Sequence, residues 1–442
     1  MFYQSYLRGL PARVFCAALI LFSLAGAAAA QYDRFEKERT LQMLSNVKSA
    51  LQKNYYDPTF HGVDLEERFK AAAEKVKQAT TISAAHGAIA QALIDLNDSH
   101  TFFVPPQKAA KVEYGWQMRA IGDKAYIIAV KPGSDAEHKG LKVGDMVLAL
   151  NGFKPARSEM WKMNYYYYQI GQRGSMTLVV QSPGQEPRQL EVITKVTPLK
   201  RVIDISNNID LNDLIRSSEN ESRSTVHKFV KVGNVMVWNM PQFDLSPSEI
   251  DRVMDTRIKG SGALVLDLRG NPGGRVDSLE RLAGYFFDKE MKIADLKGRK
   301  STEISKAVPH GADTFKGNLV ILVDSRSASA SEVLSRMMQI EKRGYVIGDQ
   351  SAGAVMESKS YSMQLGNENL IFYGMSITAA DVIMTDGKSL EHIGVTPDEL
   401  VLPTGADMAA SRDVALAKAI EKAGGKASPE EAGKFFPIEW DN

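Results

Sequence analysis

A chain of 442 residues with 44% hydrophobic and 24% charged residues has the make-up of a soluble globular protein of two or three domains. The formal charge is +1 and no basic block stands out, which argues against nucleic acid as a partner. The single cysteine, Cys16, excludes a disulfide scaffold, a zinc-thiolate site and cysteine catalysis in the rest of the chain.

Residues 1–30 read as a secretory signal peptide. Arg8 and Arg13 form a basic start, Val14 to Leu24 is apolar apart from Ser23, and Ala28-Ala29-Ala30 offers a cleavage site before Gln31. The apolar run is short for a membrane span. The expectation is therefore a secreted, periplasmic protein with no stable span after cleavage. Cys16 would leave with the signal, and the remaining chain would carry 52 basic and 53 acidic residues.

Residues 31–104 form a helical segment. Leu41, Leu44, Val47 and Leu51 recur at helical spacing. So do Leu65, Phe69, Ala72 and Val76, and then Ile82, Ala85, Ile89, Leu93 and Leu96. Asp57-Pro58 breaks the first helix from the second. The third ends in Asn97-Asp98-Ser99-His100-Thr101. A histidine at a helix end is usually just exposed, so His100 needs partners elsewhere before it means more.

Residues 105–200 change to β character. Tyr126 to Val130 is a strand, Pro132-Gly133 a turn, and Ser134-Asp135-Ala136 starts a short helix. Gly140-Leu141-Lys142-Val143-Gly144-Asp145 leads into the apolar strand Met146 to Leu150 and the turn Asn151-Gly152. A helix is expected over 155–169 and a strand over Met176 to Val180. This order resembles a PDZ domain. The resemblance implies a peptide C-terminus added as a strand at an open sheet edge, its carboxylate held by the loop Tyr114-Gly115-Trp116-Gln117. A purely structural β-domain is the alternative. The aromatic run Tyr165 to Tyr168 cannot all face one core, so part of it should line a groove or interface.

Residues 199–230 are polar and read as a linker or exposed loop. An α/β pattern follows, assigned to a domain over 201–405. Val235 to Trp238 is a strand, and Ser246-Pro247 starts a helix. The buried strand Ala263 to Asp267 runs into Leu268-Arg269-Gly270-Asn271-Pro272-Gly273-Gly274 and a helix. A second apolar strand, Leu319 to Val323, runs into Asp324-Ser-Arg-Ser-Ala-Ser-Ala-Ser-Glu332 and a helix. Such a strand–turn–helix lifts a serine to a helix N-terminus, where free N–H groups favour developing negative charge. Ser329 is the candidate nucleophile, although Ser and Glu at this spacing also make an ordinary helix cap. Tyr345 to Ile347 is a further strand, with β segments over 359–364 and 370–377. Gly394-Val395-Thr396-Pro397-Asp398 closes the core, and a helix near 407–423 lies in the C-terminal stretch 406–442.

The series Asp267 to Gly274, Ser327 to Glu332 and Gly394 to Asp398, with a PDZ-like stretch before it, resembles the tail-specific, C-terminal processing serine peptidases and, more widely, their tricorn-core relatives. It spans residues 40–402. The resemblance implies an α/β, crotonase/ClpP-like peptidase core. It puts the nucleophile at Ser329 and the oxyanion hole at the N–H groups of Ala330 and Gly274, with Gly273 shaping the turn. The best-known members use a lysine shortly after the nucleophile. Here Ala354 stands at that place, and the nearest substitute is Lys359. The tricorn-like branch implies a different base, His100, supported by Ser99 and Glu391. The expected function is a serine endopeptidase acting on protein or peptide substrates. A catalytically inactive peptide-binding adaptor and a carrier of a small apolar ligand on the same fold are the alternatives. No metal or organic cofactor is implied, and oligomerisation is left open.

Overall fold

The computed structural model describes residues 34–108, 110–198, 226–366, 370–438 and 440. The signal-peptide reading and most of the linker reading lie outside the described residues. Among those described, no helix is long and apolar enough to cross a membrane.

The expected helices form as α1 (Arg34–Asn54), α2 (Leu65–Gln78) and α3 (Ile82–Ile94). Asp64 and Thr81 cap α2 and α3 by accepting from the N–H groups of Glu67 and Ala84. Their apolar faces do not make a separate core. Leu44, Leu51, Phe69, Ile89 and Leu93 pack with Phe103, Met375 and Ile377 of neighbouring strands. The turn after α3 leads into β1 (Phe102–Val104). Asp98 holds that turn and is 1% exposed. It accepts from Tyr55 Oη at 2.8 Å, His100 N at 2.8 Å, Thr101 N at 3.0 Å and Thr378 Oγ1 at 2.7 Å.

The next unit contains β2 (Ala110–Glu113), β3 (Trp116–Ile121), β4 (Lys124–Val130), β5 (Met146–Leu150), α4 (Met160–Tyr165), β6 (Ser175–Gln181), β7 (Arg188–Ile193) and β8 (Lys195–Pro198). Strands β3 to β7 form one antiparallel sheet in sequence order, with β3 at an edge, and β2 pairs with β8. The pleat follows the sequence: Met176, Leu178 and Val180 of β6 are buried and the residues between them less so. The helical stretch expected over 155–169 is present, as a tight turn over Arg157–Glu159 that runs into α4. It closes into a wide turn, Tyr166–Ile170, where Gly171 N–H returns to Tyr166 O at 2.7 Å. The tyrosines consequently diverge. Tyr165 is buried and donates to Phe103 O at 2.5 Å, while Tyr166 is 42% exposed.

The α/β part follows with β9 (Lys228–Val232), β10 (Val235–Asn239), α5 (Pro247–Val253), β11 (Ala263–Asp267), α6 (Val276–Gly284), β12 (Met291–Gly298) and β13 (Thr302–Ala307). After these come β14 (Asn318–Val323), α7 (Ala330–Ile340), β15 (Tyr345–Gly348), β16 (Met356–Leu365), β17 (Ile371–Met384), β18 (Glu399–Leu400) and α8 (Val414–Lys422). One sheet has the order β18-β15-β14-β11-β10-β9, parallel except for β9. Its central strands are covered on both faces, as a parallel sheet requires. Leu264, Leu266, Leu319 and Ile321 pack with Leu279, Leu282, Leu334 and Met338. Val265, Val320 and Leu322 pack with Leu416 and Ile420 of α8. The second sheet runs β1-β17-β12-β13, with β16 also along β17.

Several boundaries correct the sequence reading. The linker reading reached residue 230, yet β9 begins at Lys228 and pairs antiparallel with β10 over its whole length. Strands β16 and β17 exceed the expected segments because they form one long hairpin. The C-terminal helix is split into Gly405–Ala409 and α8, since Ser411 has φ 54° and Asp413 caps a new start at Leu416 N.

Asp98 ties Tyr55 just after α1, the Ser99-His100 turn and β17 together, so Asp98→Ala leaves several buried donors without an acceptor. A loss of about 3–5 kcal/mol in urea unfolding is expected. A loss below about 1 kcal/mol would show that the network does not hold the turn.

Candidate active site

The carboxyl ends of β10, β11, β14 and β15 lie side by side, and their loops meet there. Open α/β sheets present their ligand sites on this side. Ser329 stands at the end of the β14 loop as N-cap of α7, with φ 55° and ψ −118°. A non-glycine residue held in that region is strained and needs fixed neighbours. The neighbours are present. Ala328 N donates to Asn271 O at 2.9 Å, Ser327 Oγ to Leu268 O at 2.7 Å and Ser331 Oγ to Asn271 O at 3.1 Å. Asp324 accepts from Gly270 N and Arg326 N at 2.9 Å and from Arg119 Nη1 of β3 at 2.5 Å. Arg119 beside it and the backbone donors hold its carboxyl below the usual carboxylate range despite burial.

The expected oxyanion elements sit against this serine. A Cβ on Gly273 (φ 95°) would lie 2.7 Å from Ser329 Cβ and 3.0 Å from Ala330 N. Gly274 (φ 149°) pairs with Phe243: Phe243 N donates to Gly273 O, and Arg275 N donates to Phe243 O. In that parallel register the N–H of Gly274 points away from Phe243. Among the described residues neither Gly274 N–H nor Ala330 N–H has a protein acceptor. Two donors without a protein acceptor beside a strained serine match the need of a carbonyl oxygen turning anionic.

Glu332 fixes the third side. Sequence reading gave it only a capping role. It does accept from Ser329 N, at 3.1 Å, but it is fully buried and also accepts from Ser351 Oγ at 2.5 Å, Gly353 N at 2.8 Å and Ala354 N at 3.0 Å. One carboxylate thus clamps the 351–354 loop onto the serine. Burial pushes its carboxyl up to about 7, against the pull of these four donors.

The other half of the site comes from the helical segment. Ser99 Oγ lies 2.7 Å from His100 Nδ1 and 2.9 Å from Glu391 Oε2, and Ser99 N donates to Glu391 Oε1 at 2.9 Å. A carboxylate only accepts, so the Ser99 hydroxyl donates to Glu391 and its lone pair takes the proton on His100 Nδ1. That leaves Nε2 of the neutral ring as the basic nitrogen. Val355 N also donates to Glu391 Oε2, at 2.8 Å, while Ala354 O accepts from Ser329 N at 2.8 Å. Both atoms belong to the peptide unit between Ala354 and Val355, which therefore links the serine to the carboxylate. Lys359 is exposed on β16, with Glu357 as a charged neighbour.

A cleft of about 840 Å³ lies along these loops, lined on one side by Pro272, Ala328 and Ala352 to Ala354. Its other side is lined by Trp116, Gln117 and Met118 of β3 and by Met160 and Trp161 of α4. Of the proposed carboxylate loop, Tyr114 is buried and donates to Tyr167 O at 2.8 Å, Gly115 has φ 75°, Trp116 is buried, and Gln117 is the more open residue. Sequence reading missed Glu332, Asp98, Asn271 and Asp324 as site-building residues. Their positions beside the quoted motifs were a signal, but their burial was not visible.

The raised Glu332 carboxyl has a definite pH signature. Its ordinary value is 4.5 and its folded value about 7, so the folded chain binds the proton more tightly. Stability from this group is greatest below about pH 4.5 and is lost as pH rises through about 7, by at most roughly 3 kcal/mol. Urea melts at pH 5 and pH 8 should show this loss in the wild type, and Glu332→Gln should remove that part of the slope. An equal slope in both would contradict it.

Residues 231–401 match the sequence model of peptidase family S41. A carboxyl-terminal-processing protease of Picosynechococcus sp. (strain ATCC 27264 / PCC 7002 / PR-6) is 24% identical over 329 residues, 72% of this chain and 73% of its own length. A probable CtpA-like serine protease of Staphylococcus aureus (strain N315) is 26% identical over 291 residues, 65% of this chain and 52% of its own; the chain thus spans about half of that relative. Among solved structures, mature CPAF has a TM-score of 0.62 at 17% identity, covering 84% of this chain and 94% of that one. The photosystem II D1 C-terminal processing protease has a TM-score of 0.50 at 18% identity, covering 82% and 93%. Both likenesses concern the fold. The stretch 231–401 is thus a mixed α/β unit that matches peptidase family S41, and the chain that carries it is a serine-type peptidase.

Proposed function

We propose that this chain is a secreted endopeptidase in which Ser329 is the nucleophile and His100 its general base, as in the tricorn-like branch of the resemblance. The observation that carries the reading is the His100–Ser99–Glu391 relay, whose carboxylate is joined through one peptide unit to the serine. Ser329 Oγ attacks the substrate carbonyl carbon while His100 Nε2 takes its proton. The carbonyl oxygen becomes anionic between the N–H groups of Gly274 and Ala330. As the C–N bond breaks, His100 returns the proton to the departing amine. Water then attacks the acyl ester by the same route, releasing the acid and restoring Ser329. Glu391 and Ser99 hold the ring and its tautomer. The exposed position of Lys359 favours the histidine over a displaced lysine.

The same reading gives the β3–α4 groove a part. β3 is a sheet edge, and a peptide tail adding there would lie in the cleft that reaches Ala328 and Ala354. The carboxyl-terminal-processing relative supports substrates presented by their tails.

A fluorophosphonate probe tests the chemistry. Labelling should occur in the wild type, vanish in Ser329→Ala, fall by about 10³-fold or more in His100→Ala, and stay unchanged in Lys359→Ala. A wild type that never labels favours the adaptor, and normal labelling of His100→Ala removes the histidine. Tail capture is tested separately: peptides with a free C-terminus should bind more tightly than their amides, and equal affinity would rule it out.

A further inference from the structure

Behind the relay lies a second, smaller cavity of about 150 Å³, lined by Tyr56, His61, Asp381, Ser389 and Glu391 among others. A polar space of that size holds a few waters. Asn97 and His392 line both this chamber and the substrate cleft, so they form a partition between the two. They are bonded to one another. His392 Nε2 lies 2.8 Å from Asn97 O and 3.3 Å from the Asn97 side-chain amide. A carbonyl can only accept, so Nε2 carries the proton and the shorter contact is the bond.

Both residues have left-handed backbones, with φ 53° at Asn97 and 61° at His392. Asn97 immediately precedes Asp98-Ser99-His100, and His392 immediately follows Glu391. The same imidazole nitrogen is 3.6 Å from Glu391 Oε1. The main chain of His392 donates to Gly353 O at 2.8 Å, in the loop that carries Ala354 and Val355. His392 thus touches the three loops whose mutual position sets the relay. Its ring is 46% exposed, as a partition with a cavity on each side would be.

We propose that His392 is a positioning residue. Its Nε2–H···O bond to Asn97 keeps the Ser99-His100 turn at a fixed distance from Glu391 and separates the rear chamber from the cleft. The proposal rests on the histidine-base reading for its catalytic consequence, but the tie itself can be measured without activity.

Two variants separate the bond from the backbone. Glutamine reaches about as far as Nε2 and keeps a donor there. Asparagine suits a left-handed backbone but its amide stops short. In His392→Asn, hydrogen exchange of the amides at 97–101 should quicken several-fold, Ser99 N–H above all, because that group donates to Glu391. Fluorophosphonate labelling should slow by about tenfold or more, and kcat on a short peptide should fall with KM unchanged, since small misplacements of a catalytic group are costly. His392→Gln should stay within about twofold of the wild type in both. Unchanged exchange in His392→Asn overturns the tie, as does a His392→Gln chain that behaves like His392→Asn. A wild type that never labels, with exchange altered as expected, overturns the histidine-base reading and leaves the tie standing.

Discussion

One peptide unit joins the two halves of this site. The carbonyl of Ala354 takes the N–H of Ser329, and the N–H of Val355 goes to Glu391. A peptide is planar and rigid, so moving either end moves the other. The unit can do this only because the 351–354 loop is held by Glu332, a fully buried carboxylate with donors from both the serine and that loop. Burying such a group is costly unless its oxygens are satisfied. Here four donors satisfy them, and the strain at Ser329 persists because the surroundings over-determine it.

The site is also an accident of no single segment. Its pieces come from residues 98–100, 271–274, 324–332, 351–355 and 391–392, and they meet because parallel strands end together on one side of the sheet. The helical segment joins through β1, which pairs with β17 in the other sheet, and through Asp98, which reaches Thr378 of the same strand. The β3 edge joins through Arg119 on Asp324 and through Ser325 Oγ, which donates to Ala120 O at 2.5 Å. Arg157 adds bonds to Gly122 O and Asp349 Oδ2, both at 2.9 Å.

Much of this was legible in the residues. Apolar spacing marked α1 to α3, and continuous apolar runs marked β11 and β14, because buried parallel strands need no alternation. The glycine pair 273–274 and the serine of the 327–332 motif were visible as motifs, and they do lie together. Less was visible where one pattern serves two structures. Ser329 and Glu332 form a capping pair on a surface helix or a buried clamp with the same letters. Strand β9 holds Phe229, Val230 and Val232 among its five residues, but the polar stretch before it hides its start. The run Tyr165 to Tyr168 splits because of a wide turn that periodicity does not announce. His392 had no signal of its own beyond standing beside Glu391.

Ala354 gives the last consequence. A lysine there would lie within the matched core, 231–401, together with the serine and the oxyanion glycines. With alanine in its place and the proposed base on the turn after α3, that core would hold an attacking group without its proposed base. Docking of the N-terminal helices would then complete the machinery. A half-made or unfolded copy would be harmless to its neighbours, and competence to cut would arrive together with the finished fold.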